Sequence, residues 1–358
     1  MKIGIVSMQR LINYGSFLQA YGLKHLLEDL GHTVEFIDVK LSNGKFLNIP
    51  QKEKINPVKE LLRPILKSKM HNLSIKRERN FKNVYFKILG LTEYPNEKLD
   101  YEATVIGSDE VFSYCQFVKW GGTELYFGEG IKSDKLISYA ASFGYTTIED
   151  LKKINMDEQI TNYLKKFDAI SVRDKNSREI VEKLCGATPN ENLDPVLIYD
   201  FEKLVPQKVK HKNYIFVYGY DNRLVEGKYV NQIKAFAKKH KKKIVCAGVY
   251  QDWCDVMVDV NPFELLSYVK NADFVVSETF HGTVFSIKYQ KDFAVIVRDS
   301  NRNKLLNLME KFNVADRIVD KDNLEAILKR TYDKEFCVKK IEEERKKTKE
   351  YLVKSLER

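Results

Sequence analysis

A histidine–glycine pair, His281 and Gly282, lies between a short apolar strand pattern at 272–276 and a helical pattern at 283–289. The junction between a strand's carboxyl end and the next helix is where α/β sheets bind ligands. Backbone N–H groups and the dipole at a helix start favour an anion, and glycine lets the backbone approach it closely. His281 is therefore predicted to act as a donor, acid or base. The alternative is a histidine that only caps and packs a turn.

Small or polar residues follow the other predicted strands as well, at the positions where parallel strands end. Because these ends share one edge of a sheet, their loops are expected to hold the chemistry. The resulting candidate residues, besides His281 and Gly282, are Asn13, Ser108, Asp109, Ser142, Arg173, Thr279 and Thr283.

Several candidates have a structural role as the alternative. Asp109 could be a general base or a helix N-cap. Arg173 could grip a phosphate or carboxylate through its planar fork, or form an ion pair with Asp174. Asn13 most simply caps the first long helix, although it could also touch a ligand.

Three loop features have comparable alternatives. Ser142 and Gly144 could form a backbone nest for an anion, or simply allow tight loop packing. Trp120 could stack on a sugar ring or sit at the edge of a core. Asp194, which precedes a proline, is expected to shape the crossing between domains rather than to do chemistry.

Two phosphate-binding loops are missing from the sequence: the glycine-rich dinucleotide loop and the Walker-type loop. No carboxylate–histidine set has metal-ligand spacing. These absences count against dehydrogenases, nucleotide hydrolases and metal hydrolases.

The elements that must position these residues alternate between strand and helix. The first strand at 2–7, the helix at 14–30 closed by Gly31, and the strand at 33–39 form a βαβ opening, which predicts a parallel sheet. A second series starts with strands at 214–218 and 243–247 around a helix at 225–239. The fold class is therefore α/β, with two Rossmann-like units and a cleft expected between them.

The length of 358 residues also favours two domains. We expect an N-terminal α/β domain at 1–200 with a basic, partly helical insertion at about 43–95. A C-terminal Rossmann-like domain at 210–335 would carry the His-Gly motif, and a charged helix would follow at 336–358.

Charge and cysteine usage indicate the compartment. The net charge of +10 is clustered at 63–87 and 238–243, where the basic residues could be solvated helix faces or could attract anions. Nucleic acid is not expected, because basic and aromatic residues do not interleave. Five scattered cysteines, with no secretion signal and no membrane-spanning run, predict a cytoplasmic protein, with peripheral contact at the inner membrane surface as a further possibility.

Six segments in order resemble the polysaccharide pyruvyl transferase family, and together they extend over most of the chain. Each contains at least one small or polar residue from the strand ends described above. The matching stretches are 13–21, 106–109, 137–144, 171–174, 193–195 and 280–286.

The resemblance implies two Rossmann-like domains facing across a cleft, as in GT-B glycosyltransferases. It implies phosphoenolpyruvate as donor, a hydroxyl pair of a sugar or lipid-linked glycan precursor as acceptor, and a cyclic pyruvate ketal as product. It also implies no metal requirement, and no cofactor is expected. His281 and Arg173 would contact the donor, and Asp109 would serve the acceptor. The chain departs from the family in having Glu110 where Gln is frequent, and Thr279 where many members have Arg.

Two other functions compete with this interpretation. A GT-B glycosyltransferase that uses a nucleotide sugar would have the same architecture and anion site. A non-catalytic glycan- or anion-binding relative is favoured by Thr279 and disfavoured by Asp109, Arg173 and His281.

Overall fold

The computed structural model describes residues 1–38, 68–94, 96, 99–114, 124–225, 227–298, 301–319 and 324–357. They fall into two compact units. The first unit lies within 1–51, 83–199 and 341–358, and the second within 52–82 and 200–340. The predictions for Trp120, Cys115 and residues 43–67 lie outside the described residues.

The first unit is built on a six-stranded parallel sheet in the order β2-β1-β3-β4-β5-β6. After its exposed first residue, β1 is completely buried, as expected for a parallel strand covered on both faces. The strands are Lys2–Val6 (β1), Thr33–Phe36 (β2), Asp100–Asp109 (β3), Lys132–Ala141 (β4), Ser171–Val172 (β5) and Asn190–Glu191 (β6).

Helices cover this sheet, and an aromatic cluster fills part of its core. Phe112 stacks on Phe127 at 5.1 Å and meets Phe143 at 5.3 Å. The α-helices that lie wholly in this unit are Tyr14–Glu28 (α1), Phe86–Ile88 (α3), Ile148–Lys153 (α4), Asp157–Leu164 (α5), Lys175–Cys185 (α6) and Pro195–Ile198 (α7). The π-helical segment Phe81–Tyr85 precedes α3, and a 3₁₀ turn covers Glu124–Phe127.

The second unit has a five-stranded parallel sheet in the order β11-β10-β7-β8-β9. All five residues of β7 are buried, so this strand is the centre of the sheet in burial as well as in order. The strands are Tyr214–Tyr218 (β7), Lys243–Ala247 (β8), Val256–Val258 (β9), Phe274–Ser277 (β10) and Asp292–Val295 (β11).

The α-helices of the second unit include one from the basic insertion. They are Ser68–Asn80 (α2), Gly227–Lys239 (α8), Pro262–Lys270 (α9), Phe280–Lys288 (α10), Arg302–Lys311 (α11) and Leu324–Lys329 (α12). A 3₁₀ turn, Ala315–Arg317, lies between the last two.

The helix α2 is fixed to the loops after β7 and β8. Arg77 donates to both carboxylate oxygens of Asp221, at 3.0 and 2.7 Å, and to the carbonyl oxygen of Gly248 at 2.9 Å. The hydroxyl of Ser74 donates to Asp221 at 3.1 Å. The sequence places this helix in an insertion of the first domain, whereas its contacts place it in the second unit.

The last helix, Lys334–Leu356 (α13), begins in the second unit and ends in the first. Its final turns are held there by hydrogen bonds from the Tyr351 hydroxyl to the Ser138 carbonyl (2.7 Å) and from the Arg345 Nε to the Ile198 carbonyl (2.7 Å). Within the described part of the chain, no helix is both long and apolar enough to cross a bilayer.

The predicted α/β class with two parallel sheets is confirmed, and several boundaries are corrected. The strand β1 ends at Val6 rather than at residue 7, and β2 ends at Phe36 rather than at residue 39. The largest correction concerns α10, which begins at Phe280 rather than after Gly282. His281 consequently lies in the first turn of this helix and not in the loop before it.

Candidate active site

The first sheet changes the direction of its strand order between β1 and β3. The chain adds β2 on one side of β1 and then β3 to β6 on the other. A crevice forms outside the carboxyl ends of strands at such a switch point, and ligands bind there. Asp109 ends β3, and Asn13 and Ser16 open the helix that follows β1, so three polar side chains meet at this point.

Asp109 is held on both carboxylate oxygens. The Ser16 hydroxyl donates to Oδ2 at 2.9 Å, and Nη2 of Arg173 lies 3.5 Å from Oδ1. Its φ of 82° is in the left-handed region, which a residue other than glycine adopts only when its surroundings impose it. About 10% of its side chain is exposed. The structure thus presents a nearly buried carboxylate whose orientation is restrained.

Arg173 joins that carboxylate to a second one. Its Nη1 donates to Oδ2 of Asp194 at 2.8 Å, and only 3% of its side chain is exposed. Burial lowers the pKa of Arg173, but Asp109, Asp194, Glu110 and Asp174 raise the pKa by more, so the group stays charged. From the sequence, an ion pair between Arg173 and the adjacent Asp174 was the alternative to ligand binding. In the structure, Arg173 forms ion pairs with Asp109 and Asp194.

The remaining candidates in the first unit bond to other protein groups. Asn13 accepts from the backbone N–H of Gly15 (2.8 Å) and Ser16 (3.1 Å), which confirms it as the N-cap of α1. The Ser142 hydroxyl donates to Asp174 at 2.5 Å and accepts from the Gly144 N–H at 2.9 Å. The buried Ser108 hydroxyl donates to the Ala140 carbonyl at 3.1 Å. Contact of these side chains with substrate stays a prediction.

The second sheet has its own switch point, between β7 and β10. The chain places β8 and β9 on one side of β7, then β10 and β11 on the other. His281 lies just beyond the end of β10, nearly buried, with the rings of Phe280 and Phe285 at 5.4 and 6.2 Å. The imidazole therefore lies in the first helical turn at the position where this sheet is expected to bind its ligand.

Thr279 and Gly282 shape that helix start. Thr279 is the N-cap of α10 and accepts from the Gly282 N–H at 3.0 Å. A Cβ at position 282 would lie 2.0 Å from the Ser277 hydroxyl oxygen, so only glycine fits against the end of β10. The Thr283 hydroxyl is buried and donates to the Thr279 carbonyl at 3.1 Å. The structure thus gives Gly282 a packing role, and any contact of these residues with an anion stays a prediction.

Sequence reasoning missed a charged cluster directly before Thr279. Glu278 is fully buried, and the Arg298 Nε donates to one of its carboxylate oxygens. Nε of Arg223 lies 4.0 Å from the other oxygen. Burial raises the pKa of Glu278, and the two guanidinium groups oppose this rise. The strand order could have indicated this cluster, because Arg223 follows β7 and Arg298 follows β11, and these two strands are the neighbours of β10.

Each set of candidates therefore gathers at the switch point of its own sheet. Asp109 and Arg173 are in contact in the first unit, and Thr279, His281, Gly282 and Thr283 are consecutive parts of one helix start in the second. Among the described residues, no three His, Cys, Asp or Glu side chains are grouped so that they could hold a metal ion.

The family model for polysaccharide pyruvyl transferase matches residues 13–300, which include both sets. The chain belongs to that family. Membership makes it a transferase that acts on a glycan or sugar. Among curated proteins, none matches this sequence.

Several solved structures have a similar fold at low identity. Trehalose-6-phosphate synthase from Burkholderia multivorans is 8% identical with a TM-score of 0.49, over 99% of this chain and 96% of the other. The glycosyltransferase SnogD from Streptomyces nogalater is 12% identical with a TM-score of 0.48, over 100% and 99%. S. aureus MnaA, solved with UDP, is 10% identical with a TM-score of 0.49, over 91% and 85%.

Proposed function

We propose that this polysaccharide pyruvyl transferase family member transfers the pyruvyl group of phosphoenolpyruvate to two hydroxyls of a sugar in a cell-surface glycan precursor, free or lipid-linked. The observation that carries the proposal is the Asp109 carboxylate, fixed by Ser16 and Arg173 at the edge where the first sheet is expected to bind its ligand. A carboxylate in that position is suited to remove a hydroxyl proton. The product is a cyclic pyruvate ketal, and inorganic phosphate leaves.

The first half of the reaction requires a proton on the methylene carbon of phosphoenolpyruvate, which becomes a methyl group. The adjacent carbon turns electrophilic, and a sugar hydroxyl oxygen attacks it while the hydroxyl proton passes to Asp109. His281 supplies or relays the proton to the donor, since a histidine exchanges protons near neutral pH.

The second half expels phosphate and closes the ring. The carbon–oxygen bond to the phosphate breaks with its electron pair on the phosphate, and the second sugar hydroxyl oxygen bonds to the same carbon. The proton of this hydroxyl returns to His281, which gave one to the donor in the first half, and Asp109 releases its proton to solvent or to the departing phosphate. His281, in the first turn of α10, steadies the leaving phosphate together with the positive end of that helix. No step in this sequence calls for a metal or a cofactor.

Arg173 has two compatible roles in this scheme. Contact with the donor, as the family resemblance implies, is one of them. The other follows from its ion pairs with Asp109 and Asp194, which hold the Asp109 carboxylate in its orientation. Membrane contact through the basic residues remains a prediction that depends on a lipid-linked acceptor.

The first test measures exchange of the methylene hydrogens of phosphoenolpyruvate with solvent deuterium, which does not require a known acceptor. Wild type should catalyse the exchange, and His281→Ala should slow it about 10²–10⁴-fold, the typical contribution of a general acid or base. His240→Ala, which removes a histidine paired with Glu325 in the same unit, serves as the matched control and should behave as wild type.

Two results would contradict the proposal. Exchange at a near-normal rate in a folded His281→Ala protein would show that His281 does not supply or relay the proton to the donor. Stabilisation of the wild type by a nucleotide sugar but not by phosphoenolpyruvate, in a thermal-shift panel, would favour a glycosyltransferase instead.

A further inference from the structure

The cluster around Glu278 joins three strand ends of the second sheet. Glu278 follows β10, Arg223 follows β7, and Arg298 follows β11. These three strands are adjacent in the sheet, with β10 in the middle. The cluster therefore lies at the carboxyl edge of β10, directly before the helix start that carries His281.

Glu278 is faced by two guanidinium groups rather than one. A fully buried carboxylate requires a cation or hydrogen-bond donors, because leaving it unpaired in the interior is costly. Arg298 already supplies this partner through its Nε. Arg223 brings a second guanidinium group to 4.0 Å from the other oxygen of the same carboxylate.

Both guanidinium groups are oriented by further contacts. Nη2 of Arg298 donates to the Arg223 carbonyl at 2.9 Å, and its backbone N–H donates to the Asn301 side chain at 3.0 Å. The Asn301 amide donates to the Glu278 carbonyl at 2.7 Å. Arg223 lies over the Tyr220 ring at 5.2 Å. These contacts hold the two side chains close to each other at the edge of the sheet.

The carboxylate lies inside and the cations reach solvent. Glu278 has no exposed side-chain surface, whereas 21% of Arg298 and 35% of Arg223 are exposed. Both guanidinium groups thus reach the surface of the second unit next to Thr279, which carries no charge itself. Paired guanidinium groups match the oxygens of a phosphate in charge and in planar geometry.

We propose that Arg298 and Arg223, positioned by Glu278, form a phosphate-binding site at the switch point of the second sheet. This inference rests on the proposed function in one respect, that the phosphate is the one carried by phosphoenolpyruvate. The site would bind the donor's phosphate end, not its carboxylate, and would hold inorganic phosphate after the reaction.

The test compares the full-length wild type with Arg298→Gln, Arg223→Gln and the conservative Arg298→Lys. Binding of inorganic phosphate and of pyruvate is measured by calorimetry, and KM and kcat are measured for phosphoenolpyruvate. Arg330→Gln is the matched control, because Arg330 is an exposed arginine of the same unit paired with a single carboxylate, Asp316.

We expect each Gln variant to weaken phosphate binding and to raise KM for phosphoenolpyruvate about 10-fold or more, the usual loss for a charge-assisted hydrogen bond. Arg298→Lys should recover part of the affinity, and pyruvate binding should change little. The Arg330→Gln control should match the wild type. If Arg298→Gln does not fold, Arg223→Gln, at the more exposed position, provides the same comparison.

Failure of this inference and failure of the proposed function give different results. Unchanged phosphate affinity and unchanged KM in folded Arg298→Gln and Arg223→Gln proteins would overturn the phosphate site while leaving the transferase activity intact. Phosphate binding that depends on both arginines, in a wild type that never consumes phosphoenolpyruvate, would support the site and overturn the proposed function.

Discussion

Asp109 owes its position to groups that act on different oxygens of its carboxylate. Ser16 donates to Oδ2, whereas Arg173 and the N–H of Glu110 lie at Oδ1. The groups come from α1, from the residue after β5 and from the residue after β3. A side chain held from three directions has little freedom to turn away from an incoming hydroxyl group, which favours its use as a fixed base.

Replacing Asp109 by Asn should separate the two halves of the reaction. The substitution keeps the size of the side chain but removes the base, so ketal formation should fall about 10²–10⁴-fold. Deuterium exchange into phosphoenolpyruvate should persist, because in this scheme Asp109 acts on the acceptor. Mass spectrometry of both compounds measures the two rates.

The control for this prediction is Asp100→Asn, at the opposite end of β3, where the carboxylate is exposed and paired with Lys132. It should leave both rates unchanged. Loss of exchange together with ketal formation in Asp109→Asn would show that this residue serves the donor, contrary to the assignment.

At the residue scale, the sequence predicts which residue types lie at the strand ends but not which side chains bond to each other. Asn13 was predicted as a cap, and the structure confirms it. The bond from Arg173 to Asp194 joins residues 21 positions apart, and that from Arg298 to Glu278 joins residues 20 apart. Such pairs depend on which strands become neighbours, and nothing in the local pattern specifies this.

At the scale of the element, α10 shows how a glycine can mislead. Glycine usually interrupts a helical pattern, so the sequence predicts a helix that starts after Gly282. The structure instead uses Gly282 as the third residue of the helix, because any larger residue would collide with Ser277. Thr279, a good N-cap three residues earlier, was the local signal for the true start.

Gly282→Ala should therefore destabilise the protein, although alanine is the better helix former. The added Cβ would lie 2.0 Å from the Ser277 hydroxyl oxygen and 2.8 Å from its Cβ. Overpacking of this kind costs about 1–3 kcal/mol in the free energy of unfolding, which urea titration can measure.

A double-mutant cycle with Ser277→Gly isolates the collision. Removing the Ser277 side chain should make Gly282→Ala less harmful, with a coupling of about 0.5–3 kcal/mol. Gly227→Ala is the matched control at the start of α8, where a Cβ would meet nothing within 4 Å. Equal effects of Gly282→Ala with and without Ser277 would refute the steric explanation.

Strands that form continuous apolar runs were predicted accurately. β7 and β8 have the predicted bounds, Tyr214–Tyr218 and Lys243–Ala247. Short strands show no such run: β5 and β6 have two residues each, and β9 has three. The sequence does not predict β6 and β9, because a strand of two or three residues has too few side chains to show a hydrophobic pattern. The position of such a strand depends on the adjacent strands of the sheet.

At the scale of the whole molecule, the chain passes repeatedly between the two units. The first unit is assembled from three separate parts of the sequence, and the last part is the end of α13. Tyr351, Leu352 and Leu356 are buried there, and the Thr348 hydroxyl lies 3.1 Å from that of Tyr139. Length and the order of predicted elements indicate two domains. The return of the chain to the first unit at residue 341 leaves no local pattern in the sequence.

Removal of residues 341–357 should lower the thermal stability of the first unit. Each buried hydrophobic side chain contributes about 1.5–3 kcal/mol, and four are lost together with the Tyr351 hydrogen bond to Ser138: Ile341, Tyr351, Leu352 and Leu356. Melting followed by circular dichroism measures the loss, and a synthetic 341–357 peptide should restore stability when added to the shortened protein.

The control is the same peptide with Tyr351→Ala and Leu352→Ala, which should restore much less of the thermal stability of the shortened protein. A shortened protein that melts at the temperature of the full chain would show that α13 adds nothing to the first unit.

The path of α13 also sets an order of events during synthesis. A ribosome releases the amino-terminal residues first, and domains that are continuous in sequence mature in that order. Here the first unit has its whole sheet by Glu191 but lacks a segment made more than 300 residues after β1, whereas the second unit has its whole sheet by Val295. We therefore expect the unit that is begun first to be the last to gain all of its parts.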